Sequence, residues 1–146
     1  MLTRKAKYAL RALVVLARNT GQPMPAHRIA REARVPEKFL ETILVELRLG
    51  GYVESRRGLQ GGHVLARPAE DVAVGDLIRC IDGPIAPIRC ASVTAFEPCN
   101  DCPDPARCAV RDLMADVREA MSRVLDHRSL RALADHSAAL DPLLSD

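Results

Sequence analysis

Apolar residues recur at three- and four-residue spacing from the start of the chain. Ala6, Ala9, Leu10, Leu13, Leu16 and Ala17 share one helical face, Thr3 is placed to cap that helix, and it runs to about Asn19. Gly21, Pro23 and Pro25 end it in a loop. A short helix over 26–33 follows, with Ile29, Ala30 and Ala33 inward. Pro36 suits the first turn of a third helix, whose buried face is expected to hold Phe39, Leu40, Ile43, Leu44 and Leu47. Gly50-Gly51 stops it, because a left-handed cap costs glycine little. The period then shortens. Tyr52–Arg57 alternates, His63–Leu65 forms a return strand, and Gly58, Gly61 and Gly62 supply the permissive backbone of a hairpin tip. Three helices followed by a two-stranded ribbon is winged-helix order, a mainly α fold with a small wing.

Pro68 closes this module, and 1–67 reads as a winged-helix domain. A connecting segment, 68–83, carries a short helix with Val74, Leu77, Ile78 and Ile81 on one side, stopped by Gly83. Residues 84–105 hold five of the ten prolines and three of the five cysteines, which predicts an irregular loop; the loop unit is drawn as 84–107. From about Ala106 to Asp126 the pattern is helical again, with Leu113, Val117, Ala120, Met121 and Val124 in a stripe between charged residues. Such a helix is placed to pair with a copy of itself, giving a homodimer; the alternative is packing on its own module. A last helix over 129–136, capped by Ser129, completes a 108–136 dimerisation and C-terminal unit, and 137–146 is a tail expected to fray.

Composition narrows the function. In 146 residues, 48% are apolar, which suits a globular chain, whereas 3% aromatic residues and no Trp argue against a sugar-stacking lectin or an aromatic single-strand platform. Arg18 and Gly21 cut the longest apolar run, and the amphipathic start reads as part of a cytoplasmic protein without a membrane partner. The net charge of +2 hides an asymmetry: residues 1–67 carry 13 Lys/Arg against 5 Asp/Glu, and residues 68–146 carry 8 against 14. A basic half points to nucleic acid or another anionic surface, the alternative being a solvated arginine-rich face.

On the third helix, Lys38 can reach phosphate or a guanine edge, Glu41 can accept from cytosine N4, and Thr42 lies beside them; an ordinary solvated face is the competing reading. Arg56 and Arg57 precede the glycine tip, where a guanidinium can enter a narrow minor groove while amides at Gly58, Gly61 and Gly62 meet phosphate. The GxxGG run lacks the Lys-Ser/Thr of a nucleotide loop, and no nucleophile–base or paired-carboxylate pattern points to an enzyme. Of the histidines, His63 in the wing reads as structural or a phosphate contact, while His127 and His136 end helices. The cysteines are sharper. Cys90, Cys99, Cys102 and Cys108 form C-x8-C-x2-C-x5-C, and thiolates ligate iron–sulfur clusters and structural zinc. Spacing alone favours zinc, and a thiol–disulfide switch is a third reading. The odd count argues against a disulfide framework, and Cys80, beside Ile78 and Ile81, reads as a small buried hydrophobe.

The segments LTRKAKYALRAL, VPEKFLETILVELRLGGYVESRRGLQGGHVLARP, VAVGDLIRCIDGP and CPDPARCAVRDLM together resemble the Rrf-two family of winged-helix regulators, of IscR and NsrR type, over nearly the whole chain to about residue 136. The resemblance implies a dimeric repressor or activator on a pseudo-palindromic double-stranded operator, with an iron–sulfur cluster in the cysteine loop and a dimer formed by the long helix. By position it puts Lys38 and Glu41 on the recognition helix, Arg57 with Gly58–Gly62 on the wing, and Cys90, Cys102 and Cys108 on three cluster ligands. The family's histidine or carboxylate fourth ligand falls here on Arg111 or Lys7, and the longer loop adds Cys99 instead. Four cysteines serve a 2Fe–2S or a 4Fe–4S cluster equally. Family members without a cluster keep zinc or thiol sensing open.

Overall fold

The computed structural model describes residues 2–19 and 21–141. Six helices and one antiparallel ribbon run in the order α1 (Arg4–Arg18), α2 (Ala26–Ala33), α3 (Glu37–Leu49), β1 (Val53–Arg56), β2 (Gly62–Leu65), α4 (Val74–Asp82), α5 (Ala109–Asp126) and α6 (Leu130–Leu140). Short 3-10 turns at Ala69–Asp71, Arg89–Ala91 and Pro105–Arg107 punctuate the connections. The fold is mainly helical with a two-stranded wing, as the apolar pattern predicts. No helix among the described residues is long and apolar enough to cross a membrane.

Local chemistry sets the element ends. Thr3 caps α1, its hydroxyl accepting from the Ala6 amide at 3.1 Å. At the end of α3, the Tyr52 amide reaches back to the Leu47 carbonyl (2.9 Å) and the Gly51 amide to Arg48 (3.0 Å), with Gly51 at φ +79°. These paired bonds satisfy the last carbonyls of the helix and explain the double glycine. Pro36 sits one position outside α3, at the N-cap rather than in the first turn, because its extended ψ of 130° precedes the helix. Helix α5 begins at Ala109, not near 106, since Pro105–Arg107 forms a separate 3-10 turn and Cys108 takes the cap. Helix α6 continues past His136 to Leu140, and the expected fraying of residues 142–146 lies outside the described residues.

The main core joins α1, α2, α3 and the ribbon base to α4 and α6. Leu13, Met24, Ile29, Leu40, Ile43, Leu47, Leu77 and Leu130 are each fully buried there. Phe39 departs from the expected buried face: it is 52% exposed, and its ring lies at the rim, 6.2 Å from that of Tyr8. The other four predicted residues of α3 are buried and fill the interior. Helix α6 returns to α1, with Leu130 and Ala134 buried, while α5 has no fully buried residue.

Polar contacts tie α4 to α1 and to the α5–α6 corner. The Thr3 amide donates to Asp82 Oδ2 at 3.0 Å and the Thr3 hydroxyl to Asp82 Oδ1, pinning the end of α4 to the start of α1. Val74 N–H to Arg128 O (2.9 Å) and Leu130 N–H to Val72 O (2.8 Å) tie the start of α4 to the α5–α6 corner. Arg79 grips Asp126 with two bonds of 2.7 and 3.0 Å. This pair depends on Gly75, since a Cβ there would meet Asp126 Oδ1 at 2.0 Å.

Candidate functional site

Helix α3 and the ribbon pack against each other. Helices α2 and α3 are separated by a short turn in which Arg34 is left-handed, φ +53°, and the Val35 amide bonds the Ala30 carbonyl at 2.9 Å. This turn burdens a non-glycine residue with an unusual conformation and so fixes the angle between the two helices. Lys38, Glu41 and Thr42 are exposed on α3, beside exposed Val45 and Arg48. A cleft of 130 Å³ separates α3 from the ribbon, lined by Glu41, Leu44, Val45, Arg48, Ser55 and His63 among others. Burial, and then the Arg48 charge, lower the His63 pKa, and its Nδ1 lies 3.3 Å from Ser55 Oγ.

The ribbon is anchored below its tip. Val53 pairs with Leu65, Glu54 with Val64, Ser55 with His63 and Arg56 with Gly62. Met24 adds a bridge to His63 on the outer edge, through bonds of 3.0 and 2.8 Å. Gly62 permits that approach: a Cβ there would lie 2.4–2.8 Å from three backbone atoms of Met24. At the tip, the Gly61 amide closes a turn on the Gly58 carbonyl at 3.0 Å, with Gly58 at φ +113°. Arg56, Arg57 and fully exposed Leu59 are carried outward by this turn. At the ribbon base, Arg67 stacks over Tyr52 at 4.5 Å and donates to the Gly51 and Gly50 carbonyls at 3.2 and 3.4 Å.

The cysteine loop lies at the other end of α4. Cys90 is buried at the 3-10 turn Arg89–Ala91, and the exposed Cys99 donates to it across 3.9 Å. This hydrogen bond to the neighbouring sulfur raises the Cys99 pKa. Cys102 follows one tight turn later, its amide on the Cys99 carbonyl at 3.2 Å. Cys108 caps α5, its Sγ accepting from the Arg111 amide at 3.4 Å. Of the four candidate ligands, only Cys90 and Cys99 are brought into contact. Among the described residues, no three His, Cys, Asp or Glu side chains are gathered as a metal grip.

Arginines, rather than sulfur, complete the loop. Arg111 Nε donates to the Cys90 carbonyl at 2.7 Å, and its guanidinium lies 5.6 Å from the Phe96 ring centre. Arg118 donates to the Ala91 carbonyl. Neither contact was visible as a motif; the one clue is that Arg111 follows Cys108 by three residues, on the same side of the first turn. Cys80 is remote from this chemistry. It packs between α3 and α4, 3.9 Å from the Glu46 carbonyl and against Gly50, and burial raises its thiol pKa.

The profile of Rrf2, described as an iron-dependent transcriptional regulator, matches residues 2–136. An rrf2-like HTH-type transcriptional regulator of Rhodobacter capsulatus is 40% identical over 150 residues, covering 100% of both chains. The structure of CymR, the global cysteine regulator of Bacillus subtilis, superposes with a TM-score of 0.76 at 33% identity, covering 93% of this chain and 97% of that one. IscR of T. potens superposes with a TM-score of 0.75 at 27% identity, covering 94% and 88%.

Proposed function

Because this chain belongs to the Rrf2 family of transcriptional regulators, we propose that it binds a pseudo-palindromic duplex operator as a homodimer whose affinity is set by an iron–sulfur cluster. Family membership makes it a DNA-binding regulator and not an enzyme. On this reading Lys38, Glu41 and Thr42 enter the major groove, while Arg56, Arg57 and the amides around Gly58, Gly61 and Gly62 meet the flanking groove and phosphates. The anchored ribbon supports this, since the Met24 bridge to His63 seats the strand whose Gly62 pairs with Arg56, next to the exposed Arg57.

The exposed face of α5 supports the dimer. Val110, Leu113, Val117 and Val124 are all exposed, and with Ala120 they follow the alternating three–four spacing of a helix-pairing seam. Beside it, Ile78, Gly83, Pro84, Ile85, Met121 and Leu125 line an apolar groove of 540 Å³. A second α5 covers both at once.

The observation that carries the sensing half is the donor set: four thiols on one loop, with Cys90 and Cys99 already 3.9 Å apart. Tetrahedral thiolate ligation with metal–sulfur bonds of ~2.3 Å separates sulfurs by about 3.8 Å. Cys90, Cys99, Cys102 and Cys108 would hold the cluster, which supplies a centre that iron supply, oxidants or nitric oxide can alter. Zinc on the same thiols is the alternative cofactor. The chain's own part is to pass the change on, through α5 to Asp126–Arg79 on α4 and then through Asp82 to Thr3 on α1. The same short contact favours a second reading, in which Cys90 and Cys99 each lose a hydrogen to an oxidant and join as a disulfide.

Single Cys→Ser variants test this under anaerobic purification, with iron, sulfide and visible absorbance measured. The four loop variants should lose or alter the chromophore, and Cys80→Ser should keep it. An unchanged spectrum in Cys99→Ser removes Cys99 as a ligand. Stoichiometric zinc without sulfide in the wild-type protein replaces the cluster by a zinc site.

A further inference from the structure

We propose that Arg111 is a positioning residue that fixes the two ends of the cysteine loop relative to each other. The inference rests on the reading of the loop thiols as the sensing groups. Cys90 and Cys108 stand at opposite ends of a proline-rich segment with little apolar surface of its own. Between them, Val93, Phe96 and Cys99 are exposed, and burial resumes only at Cys90, Ala91 and Ser92. Besides the packing of buried Cys90 and Ala91, a polar interaction sets where Cys90 lies with respect to Cys108.

Arg111 supplies it from one residue. Its backbone amide donates to Cys108 Sγ at 3.4 Å, and its side-chain Nε donates to the Cys90 carbonyl at 2.7 Å. The guanidinium also faces the Phe96 ring at 5.6 Å, so the middle of the loop is held by the same group. Two turns further along α5, Arg118 takes the next carbonyl, Ala91. Arg111 and Arg118 are half-buried on α5, about a third of a turn around the helix from the exposed Val110, Leu113, Val117 and Val124. One face of the helix thus reads the backbone beside Cys90 while the other is free for a partner helix.

Two readouts test the proposal on the full-length chain. The first needs no cofactor: metal-free protein is treated with a thiol reagent and the modification of Cys90 and Cys108 is timed by peptide mass spectrometry. Arg111→Met, which keeps the side-chain length but loses the charge and donors, should change the Cys90 rate at least tenfold, as the released turn exposes the thiol. Arg111→Lys, which keeps the charge and one donor, should recover much of the wild-type rate. The second readout is the rate at which a chelator strips iron from the reconstituted protein, expected at least tenfold faster in Arg111→Met. Circular dichroism and thermal unfolding, unchanged in both variants, show that the core is intact. Wild-type Cys90 reactivity in Arg111→Met overturns the positioning role, as does a loss that Arg111→Lys fails to recover. Should the wild-type chain bind no cluster, the thiol-reactivity arm still decides the role of Arg111, so the two failures are distinct.

Discussion

Gly62→Ala is expected to unseat the wing. A methyl group at this position would lie 2.4, 2.5 and 2.8 Å from the carbonyl carbon, oxygen and amide nitrogen of Met24. These are backbone atoms of a fully buried residue, so no side-chain rotation relieves the clash. Relief requires the ribbon to move off Met24, which breaks the bonds of 3.0 and 2.8 Å between Met24 and His63. Two such bonds contribute about 1–3 kcal/mol net. The positive φ of Gly62 adds about 1–2 kcal/mol of strain for a residue with a Cβ. A total of about 2–5 kcal/mol falls on the seating of the ribbon. Gly58→Ala is the internal control, because Gly58 also has positive φ but faces open space, leaving only the strain. Operator binding by fluorescence anisotropy, beside thermal unfolding, should rank affinity as wild type, then Gly58→Ala, then Gly62→Ala, with the last at least tenfold weaker and its helical signal retained. Wild-type affinity and melting temperature in Gly62→Ala would refute the anchored-wing argument, as would a larger defect in Gly58→Ala.

Further outcomes follow from the same structure. Arg57→Ala should weaken operator binding by about 1–3 kcal/mol if the guanidinium reads a groove, and an unchanged titration removes it from the contact. Val117→Glu places a charge in the exposed α5 stripe and should give monomers in sedimentation; an intact dimer puts the seam elsewhere. Hydrogen bonding from Arg79 holds the Asp126 carboxyl below its ordinary value of 3.8, so this joint contributes fully above that value and is lost as pH falls through the lowered one. Acid unfolding followed by circular dichroism should therefore show wild type more stable than Asp126→Asn at neutral pH, the gap closing below about pH 4; a constant gap contradicts the assignment.

Periodicity made the helices and the ribbon legible, since each buries one face and that face is written at fixed spacing. Helix α2, the caps at Thr3 and Ser129, and the glycine stop after α3 all stand where residue chemistry places them. Phe39 escaped because spacing alone cannot distinguish the rim of a buried face from its centre. Met24 escaped for another reason: it sits between two prolines in a loop, where no period exists, yet it is fully buried and bridges to the wing. Gly75 is a related case. A glycine inside a helix reads as a weakness, and its purpose appears only with Asp126 against it. For the cysteine loop, the residue types and their order were readable, but the arginine-to-carbonyl bonds that shape it join positions 21 and 27 residues apart. Such polar contacts leave no repeating signature in a single sequence.

On the proposed reading, the state of the cysteine loop sets operator affinity. The most direct measurement compares one anaerobically purified dimer, before and after its iron is removed by a chelator, in binding to a selected operator at fixed salt. A chain carrying iron and sulfide, with operator affinities that differ at least tenfold between the two states, is the predicted result; tenfold is about 1.4 kcal/mol. Equal affinity in the two states, with the dimer intact in both, contradicts it.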